Sequence, residues 1–374
     1  MIDSNVKLHD YLPSLVASPW VAIDTEADSL HAYPEKLCLL QIGTVAGEVL
    51  VDPLNGVDLG PLFAALTGRE LLMHGADYDL RLLQKHHHYV PQSIFDTMLA
   101  GRLLGQQQFG LAALVLQNLG ITLEKGAQKA NWARRPLTPR MEIYALHDVE
   151  YLKPLSDKLR AELEAKGRLE WHQESCTRLI REATLEDGPD PDFVWRVKGS
   201  SFLGPPGLAV LRELWLWREK EAVHANLPPF FIMNHELLVR LSAEAGEGQD
   251  VSRRLPPRYS PRRREALLEA IQIGVAVPPS EQPQIPHRSH HRLTMAEVRR
   301  LRDITRRRDR QAARLGIDPA LIASKPVLAR LAHDWAEHEG ELMNWQRELL
   351  LESEPPASAA ATPAPMKDTP GGAD

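Results

Sequence analysis

Cysteine is scarce in this 374-residue chain: Cys38 and Cys176 are the two present. That excludes a disulfide framework and a cysteine-built zinc site. Long apolar runs are missing too, since none approaches the ~20 residues a membrane-spanning helix requires. The segment from Met1 to Trp20 carries Asp3, Lys7 and Asp10. It lacks the basic-then-apolar order of a secretory signal, so a cytoplasmic location is expected. Basic charge is in overall deficit: 44 Lys and Arg stand against 50 Asp and Glu, a net of −6. Taken alone, that total argues against a nucleic-acid partner. What is present, 43% hydrophobic and 25% charged residues, is ordinary globular composition. The length corresponds to two or three domains at roughly 150 residues each.

The total conceals a segregation. Residues 1–200 hold 20 basic and 27 acidic side chains, whereas residues 251–314 hold 16 basic and 6 acidic ones. Every basic residue of that second segment is arginine, among them Arg262, Arg263, Arg299 and Arg306. Arginine suits phosphate because its planar fork donates two hydrogen bonds at once. A solvated helix face with a charged linker accounts for such a run equally well.

Short apolar runs separated by turn formers predict strands at Trp20–Ile23, Leu37–Ile42, Val49–Val51 and Glu70–His74. Helical spacing follows at Asp77–Lys85, Phe95–Leu104 and Leu111–Leu119, the last closed by Gly120. Thr138-Pro139 opens another helix, with a capping hydroxyl and a proline at the first helical position, running towards Ala165. This is the pattern of an α/β sheet domain. Glu186–Pro191 reads as a linker, and helices are predicted at Leu208–Val223, His235–Ala243, Arg262–Ile273 and across Thr294–Glu352. From Pro355 the Ala, Pro, Thr and Gly composition lacks core residues, which predicts disorder.

The chemistry lies in the acidic front. Asp24-Thr25-Glu26 follows an apolar strand, and residues two apart in a strand face the same side. Paired carboxylates at a buried strand end are costly unless a cation neutralises them, and oxygen donors favour Mg²⁺ or Mn²⁺. Asp-x-Glu alone equally describes a loop pair. Two further elements add to it: His74-Gly75-Ala76-Asp77-Tyr78-Asp79-Leu80 after a strand, and Tyr144 with Asp148 four apart on one helix face. Four such acids can hold two divalent ions about 3.5–4 Å apart, the clamp used in phosphodiester hydrolysis. Tyr144 would orient the attacking water.

In this order the elements resemble the DEDD 3′-to-5′ exonucleases of the tyrosine subclass, and among them the ribonuclease D family. Ile23–Glu26 with Tyr33–Ile42, Phe95-Asp96-Thr97, Trp132–Leu137 and Tyr144–Leu152 are similar to that family's blocks. The resemblance implies Asp24, Glu26, Asp79 and Asp148 as metal ligands and Tyr144 as the residue positioning water. The family's Asp-Leu-x-x-Leu pattern selects Asp79 over Asp77. The histidine subclass would place histidine at 143, where Ile143 stands. Ala130-Asn131 replaces the usual Ser/Thr-Asp before Trp132, which puts in question an RNA contact there but not the ligands. Residues 211–238 resemble an HRDC domain, a small helical nucleic-acid-binding bundle, and residues 301–328 a weaker second copy.

The implied fold is a ribonuclease H-like mixed sheet in an α/β exonuclease domain, followed by all-α HRDC-type bundles. The expected boundaries are 1–185, 204–280 and 290–352, with a tail at 353–374. The implied activity is metal-dependent 3′-to-5′ trimming of RNA, with tRNA precursors as substrate and nucleoside 5′-monophosphates as product. Two divalent ions, Mg²⁺ or Mn²⁺, are the expected cofactors. Lys125, Gln128, Lys129 and Arg135, with the arginines named above, are candidate phosphate contacts; a solvated surface is the competing account of each. A 3′-to-5′ DNA exonuclease carries the same motifs. A non-catalytic RNA-binding scaffold is disfavoured because all four acids and the tyrosine are present. His86-His87-His88 reads as a surface helix end, His287, His290 and His291 as part of a basic stretch, Trp215 and Trp217 as packing, and Cys38 as a buried small hydrophobe.

Overall fold

A computed structural model describes residues 1–124, 126–185, 190, 192–284 and 293–351. Lys125, most of the expected linker at 186–191, His287, His290, His291 and the tail at 353–374 lie outside the described residues. No helix among the described residues is long and apolar enough to cross a membrane.

One compact unit spans Met1–Arg292 and a second begins at Leu293. The first opens with α1 (Asn5–Ala17), β1 (Val21–Ala27), β2 (Leu37–Thr44), β3 (Gly47–Val51), α2 (Gly60–Leu66) and β4 (Glu70–Met73). Then come α3 (Asp77–His87), β5 (Ser93–Asp96), α4 (Thr97–Leu103), α5 (Leu111–Leu119), α6 (Pro139–Glu150), α7 (Leu152–Ala165) and α8 (Leu169–Ala183). The strands form one mixed sheet of order β3-β2-β1-β4-β5. β1 pairs antiparallel with β2 and parallel with β4, so it lies at the sheet centre.

Alternation along β1 decides which helices cover which face. Ile23, with Leu40 and Ile42 of β2, joins a core built with Leu8 and Leu15 of α1, Leu62 and Leu66 of α2, and Leu80 and Leu83 of α3. Asp24 and Glu26 point to the opposite face, which α6 covers. Gly43 makes that cover tight: a Cβ there would stand 3.3 Å from both the Val149 carbonyl oxygen and the Ala22 Cβ. A larger side chain would push α6 off the strand.

Three sequence expectations are corrected. β1 runs on to Ala27 because Asp24 and Glu26 pair with Gln41 and Leu39 of β2. Phe95 and Asp96 belong to β5 and not to a helix, since parallel pairing places Phe95 opposite Leu72 and Asp96 opposite Met73. The helix opened by Thr138 breaks at Tyr151, separating α6 from α7. Helices α1, α2 and α8 complete the domain without a sequence expectation behind them.

The helical part of this unit comprises α9 (Pro205–Ala225), α10 (Pro229–Ile232), α11 (His235–Gly246) and α12 (Pro261–Val275). Leu211, Leu214 and Trp217 of α9 pack with Leu238 and Leu241 of α11 and with Leu267 and Ile271 of α12. Trp217 is thus a core residue, with Trp215 partly buried beside it, as packing residues should be. The second unit holds α13 (Met295–Leu315), α14 (Pro319–Ile322), α15 (Lys325–His333), α16 (Trp335–His338) and α17 (Asn344–Leu351). A capping box opens α13: Thr294 and Glu297 satisfy each other's backbone N–H groups.

Candidate active site

Asp24 and Glu26 project from the sheet face beneath α6, and α6 presents Tyr144 and Asp148 one helical turn apart. Ligand oxygens of Asp24, Glu26 and Asp148 all lie within 4.8 Å of one another. Asp79 enters from the first turn of α3 and is buried. Its carboxylate accepts the hydroxyl of Thr25, which projects from the other face of β1. Tyr144 and Asp148 are close enough that each shifts the titration of the other.

Electrostatics follow from crowding acids out of water. Burial, then the charges of Asp79, Asp148 and Glu26, holds the Asp24 carboxyl well above the ordinary range. Burial with the charges of Asp148 and Asp79 pushes Glu26 up to about 9. Asp79 and Asp148 both rise to about 7, each chiefly through burial. Tyr144 is raised by burial and by the carboxylates around it. An all-oxygen set that protonates for want of a neutralising charge is the donor chemistry of a hard divalent cation. The residues fit such an ion.

Thr25 and Asp96 support this arrangement and escaped the sequence reading. Asp96 is buried, accepts the N–H groups of Gly75 and Ala76 at 3.2 and 2.8 Å, and caps α4 through Met98 and Leu99 at 2.8 and 3.0 Å. It thereby ties down the turn from which Asp79 departs. The family-like Phe95-Asp96-Thr97 block was the available signal for Asp96; for Thr25 it was only its place between two acids.

The segment between α5 and α6 lies against Tyr144. The Trp132 ring is 6.0 Å from the tyrosine ring, centre to centre, and Gly126 passes so close that a Cβ would collide with it. Arg135 holds this segment. Its guanidinium grips the Asp52 carboxylate from Nε and Nη2, at 2.5 and 2.7 Å. It also donates to the carbonyls of Cys38, Trp132 and Arg134, at 2.8, 2.7 and 2.9 Å. All five of its N–H donors are engaged. Geometry therefore makes Arg135 a clamp, where the sequence had suggested a phosphate contact.

Beside Glu26 opens a cleft of about 160 Å³ lined by Thr25, Glu26, Ala27, Ser29, Leu30, Tyr78, Gln128 and Ala130. Gln128 and Lys129 are exposed here, and the Lys129 carbonyl meets His31 at 3.2 Å. Arg262 and Arg263 pair with buried Glu221, at 3.1 and 3.0 Å; Arg262 is the more exposed of the two. Arg299 and Arg306 are exposed on α13, in the second unit. The three consecutive histidines end α3 and diverge, His87 packing on Phe63 and His88 taking the left-handed closing conformation.

Family models agree with this geometry. A 3′-5′ exonuclease model matches residues 1–164, and an HRDC domain model matches residues 207–247. The ribonuclease D of Nitrobacter hamburgensis is 29% identical over 361 residues, 94% of this chain and 93% of that one. The ribonuclease D of Zymomonas mobilis is 30% identical over 341 residues, covering 89% of this chain and 82% of its own. The chain belongs to the ribonuclease D family. A crystal structure of Escherichia coli RNase D, described as an exoribonuclease involved in structured RNA processing, superposes with a TM-score of 0.73 at 25% identity. That match covers 94% of this chain and 98% of the other. As a ribonuclease D, this chain is a 3′-to-5′ exoribonuclease of a metal-dependent family, with a mixed-sheet catalytic fold, an HRDC domain and RNA as its substrate.

Proposed function

We propose that Asp24, Glu26, Asp79 and Asp148 hold two divalent ions, Mg²⁺ or Mn²⁺, and that Tyr144 orients the water that attacks the terminal phosphodiester. The observation carrying this is the convergence of the Asp24, Glu26 and Asp148 oxygens within 4.8 Å, with Tyr144 one helical turn before the last of them on α6. Bound ions would polarise the phosphodiester and lower the pKa of a coordinated water. The protein's part is to fix the ligand oxygens, aim the tyrosine hydroxyl and seat the RNA end. The cleft beside Glu26 takes the 3′-terminal nucleotide, with Leu30 and Tyr78, both partly exposed, flanking its base. Residues then leave one at a time as nucleoside 5′-monophosphates.

The substrate in this reading is a tRNA precursor or another structured RNA with a 3′ extension, and the compartment is the cytoplasm. Segment 1–185 acts as the exonuclease domain, and 204–280 and 290–352 as two HRDC-like modules. Gln128 and Lys129 beside the cleft, with Lys125, which lies outside the described residues, and Arg262, Arg263, Arg299 and Arg306 in the helical segments, contact phosphates. Binding then weakens steeply with salt, because each phosphate contact releases counterions.

A 3′-labelled tRNA precursor with a 3′ extension, incubated with Mg²⁺ or with EDTA, tests the proposal. Mononucleotide release should need the metal and vanish in Asp24→Ala and Asp148→Asn, while gel-shift binding survives. Cleavage by either variant would sink the ligand assignment. Preferential digestion of a matched DNA strand would overturn the RNA substrate.

A further inference from the structure

Gln41 is a side chain that the proposed chemistry does not use. It sits mid-way along β2, directly opposite Asp24 in the antiparallel register and opposite Leu50 of β3 on its other side. Opposed residues in a sheet share a face, so its amide lies in one row with Asp24, beneath α6. The residue is fully enclosed, at 0% exposure, yet neither Oε1 nor Nε2 has a hydrogen-bond partner. A buried amide with both ends unpaired is costly and rare in native proteins.

The surroundings offer it little else. Gly43, next along the same face, abuts Val149, while Leu39, Leu50 and Ala145 belong to the apolar cluster alongside. Filling space there calls for a leucine or methionine. Along its row the sheet places Asp24, its register partner, beside it.

We propose that Gln41 is a positioning residue of the metal centre. Its amide fixes the Asp24 carboxylate, with Nε2 donating to the carboxylate or to a water of the ion's shell and Oε1 accepting from such a water. Groups that hydrogen-bond a ligating carboxylate set its orientation, and their loss typically weakens metal binding about 10–100-fold. The proposal rests on the reading of Asp24 as a ligand.

The test is calorimetric titration of the full chain with Mn²⁺ in the absence of RNA. Wild type, Gln41→Met, Gln41→Leu and Asp24→Ala are compared, each with a metal-free melting curve. Both Gln41 variants should melt at or above the wild-type temperature, because an unpaired amide is gone. Both should bind Mn²⁺ about 10–100-fold more weakly. A purely packing role would leave the Mn²⁺ affinity unmoved. Wild-type affinity in a folded Gln41 variant, with Asp24→Ala defective, overturns the role of Gln41 alone. Wild-type affinity in Asp24→Ala overturns the ligand reading, and this proposal with it.

Discussion

Arg135→Ala separates two accounts of one side chain, a phosphate contact or a clamp on the segment over Tyr144. The Asp52 carboxylate is fully enclosed, at 0% exposure, whereas the Arg135 side chain is 24% exposed. Removing one partner of a buried ion pair costs about 3–5 kcal/mol, because the remaining charge stays uncompensated. The Leu54 N–H and the Asn55 amide still bond Asp52, at 3.1 and 3.2 Å. Partial exposure also admits water to the three vacated carbonyls. Both effects favour the lower end, about 3 kcal/mol. With a urea slope of about 3 kcal/mol per molar, the unfolding midpoint falls by about 1 M. Arg135→Met combined with Asp52→Asn should recover much of that loss, since removing both partners avoids the unpaired charge. Turnover should drop in Arg135→Ala as Trp132 loosens from Tyr144, while the salt dependence of RNA binding stays as in wild type. A phosphate contact gives the opposite: an unmoved midpoint and a salt slope smaller by about 1. A midpoint shift below about 0.3 M with weakened RNA binding would refute the clamp.

Two further outcomes follow from the same geometry. The active-site carboxyls have folded pKa values raised by burial and mutual repulsion, to about 9 for Glu26 and about 7 for Asp79 and Asp148. Unfolded carboxyls titrate near 4, so between these values the folded chain holds more protons. Stability in EDTA is therefore full below pH ~4 and declines as pH rises towards the folded values. Melting curves from pH 5 to 9 should show this decline, and Mn²⁺ should raise the melting temperature more at pH 8 than at pH 5.5; a pH-independent metal effect would contradict it. Tyr144→Phe keeps the ring against Trp132 and removes the hydroxyl. Turnover on a 3′-extended RNA should fall at least tenfold with an unchanged melting temperature, and a wild-type rate would remove the tyrosine from the water's environment.

Much of this molecule was legible before folding because its signals are local. Asp24 and Glu26 share a face by the period of a strand, and Tyr144 and Asp148 by the period of a helix. Thr138-Pro139 and Gly120 mark helix ends with chemistry confined to a few residues. The misread segments are those where a distant partner outweighs local preference. Phe95-Asp96 sits next to a helix, and parallel pairing with β4 makes it strand. The apolar run ends at Ile23, and pairing with β2 carries the strand on to Ala27.

Sequence alone determined the set of chemically competent residues, the order of their elements and the contrast between an acidic front and an arginine-rich rear. Periodicity, capping and charge are properties of neighbours along the chain, and they survive without coordinates. Only the tertiary structure decided what each polar side chain does. Arg135 became a clamp because Asp52, 83 residues away, is enclosed beside it. Thr25 became the partner of Asp79, and Gln41 an unpaired buried amide opposite Asp24 in the sheet register. Burial and hydrogen-bond partnership are set by chain segments far apart in sequence, and no local pattern encodes them.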